Sequence, residues 1–140
     1  MTELSESTRT AIEAARAVGG DVGQIVKSLV FVAGDEPILL LVSGAHQVDP
    51  DVVGRALGRP IRPARAAEVR EATGFAIGGV APIGLSRPLT TYADPALLAF
   101  DRVWAAAGSP RSVFPIAPAE LVRATGAHLL TVAGAPATDA

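Results

Sequence analysis

Lys27 is the single lysine among twelve basic side chains, the other eleven being arginine. It lies in Ile25-Val26-Lys27-Ser28-Leu29-Val30-Phe31-Val32, a run rich in β-branched residues that predicts a strand. Strand alternation puts Lys27 on one face with Ile25, Leu29 and Phe31, and Val26, Ser28, Val30 and Val32 on the other. With both faces otherwise largely apolar, the ammonium emerges from a pocket wall or at the strand's end. A partly desolvated lysine there can hold phosphate or carboxylate as a point charge. The alternative is an edge strand whose lysine blocks strand-to-strand association. Lysine in a chain that otherwise uses arginine fits a pocket too narrow for the wider, planar guanidinium, and so favours the first of these two readings.

Gly78-Gly79-Val80-Ala81-Pro82 is the second chemical feature. Glycines allow close backbone approach, and successive N–H groups can hold a carbonyl oxygen or a phosphate. The commoner role of such a run is a plain connecting turn. It lacks the Gly-Lys-Ser/Thr ending of a P-loop and the spacing of the dinucleotide fingerprint. His46 and His128 are the only imidazoles and form no hydrolytic triad. His46, in the polar Ser43-Gly44-Ala45-His46-Gln47 turn, reads as surface loop, and His128 as structural. Two histidines and no cysteine argue against a metal site and exclude thiolate chemistry and disulfides, so no cofactor is expected. Catalysis would then rest on positioning, backbone donors, Lys27, a water and the substrate itself. Arg55, Arg59, Arg62, Arg65 and Arg70 against Glu68 and Glu71 leave a local excess of positive charge, either a nucleic-acid contact or a solvated surface. Trp104 reads as core.

The elements that must position these residues follow from local signals. Thr10-Ala11-Ile12-Glu13 is a capping box, and Ile12, Ala15 and Val18 share a helix face that Gly19-Gly20 ends. Ile38 to Val42 is a continuous apolar strand, central in character and antiparallel to the Lys27 strand. Asp49-Pro50 opens a helix that Gly58 closes; Ala66 to Thr73 is helical up to Gly74; Pro118 to Thr125 is helical up to Gly126. Ile61 to Pro63 is extended, and a strand falls near Leu89 to Tyr92. Pro95 to Ala107 fits a helix, but Val103 to Ala107 also fits a strand pairing with Ser112 to Ile116. Residues 1–132 form one mixed α/β domain and 133–140 a loose tail. A hydrophobic share of 49% suffices for a core, and a net charge of −2 argues against a general polyanion binder. The acidic, polar start and the absence of a long apolar run predict a soluble cytoplasmic protein without a membrane partner.

Taken together, Val26 to Phe31, the Ser43-Gly44 turn, Ala72 to Gly84 and Trp104-Ala105-Ala106-Ala107-Gly108-Ser109 closely resemble the YbaK-like aminoacyl-tRNA deacylases. These are free-standing relatives of the editing domain inserted in bacterial prolyl-tRNA synthetases. The resemblance runs in order from about Ser7 to Val132. It implies a mixed, partly barrel-like sheet flanked by short helices, and hydrolysis of the ester joining a wrong amino acid to the tRNA 3′-terminal adenosine. It implies that Lys27 is the family's essential lysine, holding the substrate's 3′ end. It implies further that Gly78, Gly79, Val80, Ala81 and Pro82 are the GxxxP loop whose backbone positions the ester. Thr73, Gly74 and Phe75 would shape that loop, with Gly44 and Gly108-Ser109 lining the same cleft. The implied partners are the aminoacyl-tRNA 3′ end and prolyl-tRNA synthetase, with no DNA. Cysteine-specific members carry an acidic residue where this chain reads Ser112-Val113-Phe114, which points to a small amino acid, of alanine size. A non-catalytic module that binds a small ligand or a tRNA end beside a synthetase is the alternative.

Overall fold

The computed structural model describes residues 2–3, 11–75, 80–82, 85, 88–109 and 112–133. In chain order its elements are β1 (Thr2–Glu3), α1 (Ala11–Val18), β2 (Ile25–Ala33), β3 (Glu36–Ser43), α2 (Pro50–Leu57), β4 (Ile61–Pro63), α3 (Ala66–Thr73), β5 (Thr90–Ala93), β6 (Val103–Ser109), β7 (Ser112–Ile116), α4 (Pro118–Thr125) and β8 (His128–Leu129). Short 3₁₀ turns occupy Val22–Gln24 and Pro95–Ala99. The strands form one mixed sheet in the order β1-β7-β6-β2-β3-β5-β8, with β4 also paired to β2.

The apolar run of β3 becomes the centre because both faces of the sheet are covered. Ile38, Leu39, Leu40, Leu41 and Val42 are all fully buried. Leu39 and Leu41 join a cluster with Val69 of α3 and Leu121 of α4, whereas Ile38, Leu40 and Val42 pack with Val53 of α2. Each such side chain contributes roughly 1.5–3 kcal/mol relative to exposure. The helices begin and end where local chemistry dictates. Asp49 accepts from the Asp51 N–H at 3.0 Å ahead of Pro50, and Gly58 closes α2 at φ +71°. Glu68 reaches back to the Arg65 N–H at 2.8 Å, and Gly74 closes α3 at φ +81°. Both glycines occupy the left-handed region, which side chains with a Cβ disfavour.

β2 pairs with β3 along its length, from Val26↔Ser43 to Ala33↔Glu36. Its other edge is shared. β6 runs parallel to it only at Ile25↔Trp104 and Val26↔Ala105, and β4 joins it antiparallel at Phe31↔Pro63 to Ala33↔Ile61. Between them Lys27, Ser28 and Leu29 have no strand opposite among the described residues. The edge-guarding reading of Lys27 therefore falls: β2 is interior, and the opening lies within the sheet. The ambiguous stretch after Pro95 divides into the 3₁₀ turn and then β6, which forms an antiparallel hairpin with β7 whose register shifts between Ala106 and Ser109. The strand placed near Leu89 is β5, parallel to β3 from Ile38↔Thr90 to Leu41↔Ala93.

Two expectations need correction. Ile12 is 61% exposed and not on the packed face of α1. The helix packs through Ala14, Ala15 and Val18 against Ile25 at the start of β2 and Trp104 of the neighbouring β6. Trp104 is only half-buried, at the margin of that cluster. Thr10 of the expected capping box and residues 134–140 of the expected tail lie outside the described residues.

Candidate functional site

Lys27 stands opposite Val42 in the β2–β3 ladder, half-buried at the sheet opening. Its side chain shares a face with Leu29 and Phe31, which belong to the α2-side cluster, as alternation requires. The ammonium donates to the backbone carbonyl of His46. Burial lowers the Lys27 pKa below its usual 10.5, and the negative charge of Asp94 partly opposes that shift. That is its one hydrogen bond among the described residues, and an ammonium has three protons to give.

His46 departs from the surface-loop expectation. Its side chain is only 39% exposed, and Nδ1 lies 2.7 Å from Oδ2 of Asp94, whose side chain is 3% exposed. An ionised carboxylate only accepts, so Nδ1 carries the proton. The same Oδ2 accepts from the Ser43 N–H at 3.2 Å, and Oδ1 accepts from the Ala96 N–H at 3.0 Å. Ser43 Oγ in turn donates to the Gly23 carbonyl at 2.9 Å, and the Gly44 N–H donates to Ile25 O at 2.7 Å. Gly44 is thereby held two residues from Lys27 along the ladder. In the sequence Asp94-Pro95 signals only a turn cap, and nothing local tells that the second Asp94 oxygen spans to the end of β3.

Thr73 is fully buried and its hydroxyl is spent on the chain itself, donating to Val69 O at 2.7 Å and accepting from the Phe75 N–H at 3.0 Å. With the left-handed Gly74 between them, these bonds set the direction in which the chain leaves α3. Thr73 shapes that exit and offers no free hydroxyl. Phe75 packs against the cluster on the side of the sheet away from Lys27, where Val80 is also buried. Val80, Ala81 and Pro82 are all buried, so backbone is what they have left to present. Gly78 and Gly79 lie outside the described residues. Gly108 and Ser109 end β6, past the point where it parts from β2. Ser28 is likewise unmarked in the sequence: its Oγ is buried without a hydrogen-bond partner among the described residues, on the face opposite Lys27.

The arginine patch is neutralised in part. Arg62 makes paired 2.9 Å bonds to both oxygens of Glu68, Arg65 lies 3.5 Å from that carboxylate, and Arg59 is 3.0 Å from Glu36. The Arg62 bonds, followed by the Arg65 backbone N–H, lower the Glu68 pKa to about 2. Arg55 and Arg70 have no carboxylate partner among the described residues. No group of three or more potential metal ligands occurs among those residues, and none of their helices is long and apolar enough to cross a membrane.

Residues 5–124 match the family model for the aminoacyl-tRNA editing domain. The chain belongs to that family. This editing domain is 36% identical over 122 residues to the uncharacterized protein YwhH of Bacillus subtilis, covering 86% of this chain and 78% of YwhH. It is 35% identical over 117 residues to the proline–tRNA ligase of Bacillus licheniformis, covering 80% of this chain and 20% of the ligase. The editing domain thus corresponds to one part of that larger enzyme. It matches a crystal structure of a proposed trans-editing enzyme for prolyl tRNA synthetase with a TM-score of 0.91 and 51% identity, over 96% of this chain and 85% of the other.

Proposed function

We propose that this editing domain works in trans as a deacylase, removing a small wrong amino acid from tRNA-Pro by hydrolysing the ester to the 3′-terminal ribose. The observation that carries the reading is the chain's one lysine, its ammonium half-buried where the β2 edge away from β3 has no strand opposite among the described residues. It is placed to hold an anionic group of the tRNA 3′ end through the protons that the His46 carbonyl does not take. The backbone of Gly78 to Pro82 positions the aminoacyl ester, with N–H groups facing the oxyanion that develops at its carbonyl. Thr73, Gly74 and Phe75 set the course of that loop, and Gly44 and Gly108-Ser109 line the cleft.

An ester is already activated, so holding it beside an ordered water supplies much of the catalysis. The water oxygen bonds to the carbonyl carbon and the carbon–oxygen bond to the ribose breaks. The departing ribose oxygen takes a proton, and tRNA and free amino acid leave. A neighbouring ribose hydroxyl relays the proton, since no protein base takes part. Ser112-Val113-Phe114 brings no carboxylate to the start of β7, in keeping with an alanine-sized substrate. Prolyl-tRNA synthetase is the partner that supplies the mischarged tRNA.

The test is a deacylation panel of small amino acids on tRNA-Pro and tRNA-Ala. Wild type should cleave at least one mischarged tRNA-Pro well above the spontaneous rate, and Lys27→Ala should lose about 10²–10³-fold in kcat/KM. Cleavage of none overturns the deacylase. Binding of a non-hydrolysable aminoacyl-adenosine analogue without any turnover would put the non-catalytic module in its place.

A further inference from the structure

The Lys27 ammonium is not held by the strand that carries it. Its anchor is the His46 carbonyl, 19 residues away in sequence, on the connection between β3 and α2. That connection is itself tied down by a carboxylate from elsewhere in the fold, because Asp94, just after β5, binds both the Ser43 N–H and the His46 ring. Capping the 3₁₀ turn at Pro95–Ala99 needs only the Asp94 Oδ1 bond to Ala96. The burial of the other oxygen against Ser43 and His46 goes beyond what a cap requires. Among the described residues, Asp94 and His46 are the titratable groups that face Lys27.

We propose that Asp94 and His46 are positioning residues for Lys27. The buried carboxylate fixes the His46 ring and with it the Ser43–His46 turn, the His46 carbonyl aims the ammonium at the sheet opening, and the Asp94 carboxylate sets an opposite charge near the amine. The proposal deepens the deacylase reading by explaining how its amine is aimed, and rests on that reading for its catalytic consequence. Neither residue touches substrate in this scheme. Asp94 answers the desolvation of Lys27 with a fixed opposite charge, and His46 converts that charge into a geometric constraint.

A chain with one lysine makes the test direct. Lysine-selective ¹³Cε labelling of the full chain yields a single side-chain resonance, whose titration reads Lys27 alone. Asp94→Asn keeps the volume but removes the charge, and its Lys27 midpoint should fall relative to wild type. The alkaline limb of kcat/KM should move down with it. His46→Ala, truncating a ring already part-exposed, tests the tether if the Asp94 variant does not fold. It should lower kcat/KM about tenfold, and His46→Gln, which can still donate to Asp94, should restore most of that. An unchanged Lys27 titration in folded Asp94→Asn overturns the electrostatic half. Equal kcat/KM in wild type, His46→Ala and His46→Gln overturns the tether. A wild type without deacylase activity fails the functional reading instead, while the titration still decides whether Asp94 governs the amine.

Discussion

At Lys27 two influences oppose each other: burial favours the neutral amine, and Asp94 favours the charged one, with burial the larger. The folded pKa lies below the unfolded value of 10.5, so between the two the unfolded chain binds more protons and stability rises with pH across that window. Below it, the charged amine costs stability. Replacing it by an uncharged chain of similar length should therefore separate fold from function. Lys27→Met is expected to keep or raise the urea midpoint at pH 7 while losing about 10²–10³-fold in deacylation. A collapse of the fold in that variant would mean the lysine is structural. Ser28 offers a second test at the same scale. Its buried hydroxyl has no partner among the described residues, and an unpartnered group of this kind carries an unrecovered desolvation cost. Ser28→Ala should gain about 1 kcal/mol in equilibrium urea unfolding; a loss of that size would show that the hydroxyl is bonded after all.

At the scale of elements, the opening at Lys27–Leu29 arises among the described residues because β4 and β6 share one edge of β2 at separate positions. What holds that arrangement is contact between connections. The turn at Val22–Gln24 packs so closely under Phe100 that a Cβ on Gly23 would sit 2.9 Å from the ring, while the Gly23 carbonyl anchors Ser43. Gly23→Ala is thus expected to cost about 1–3 kcal/mol in urea unfolding, since rigid ring atoms must shift. A neutral result would show this junction to be loosely packed. The same scale explains what was legible. α2, α3 and α4 announce themselves because caps, first-turn prolines and closing glycines act within a few residues. Pro95 to Ala107 stayed ambiguous because a short 3₁₀ turn carries helical spacing without a helix, and the strand after it shows only in its pairing.

For the whole molecule the question is how a chain of net charge −2 engages a polyanion. Arg59, Arg62 and Arg65 pair with Glu36 and Glu68, so this patch offers fewer free cations to phosphates than its arginine count suggests. The dependence of log kcat/KM on log salt should therefore be shallow, with a slope of about −1 to −2. A slope near −5 would reveal a phosphate-binding face that these ion pairs conceal. The Glu68 cluster also sets an acid limit. Its folded pKa of about 2 lies below the ordinary 4.5, so its contribution is present above 4.5 and is lost as pH falls toward 2. The effect is small because the groups face solvent. Urea midpoints of Glu68→Gln should fall less than those of wild type between those pH values. The amino-acid sequence by itself determined the apolar central strand, the helix ends, the lone amine and its face, and the motifs that resemble the editing family, because these depend on neighbours within a turn or on alternation along a strand. The tertiary structure alone decided that Lys27 is interior, that His46 is its anchor and that Asp94 stands behind both. Those facts depend on contacts between residues 19 and 48 positions apart, which no local pattern encodes.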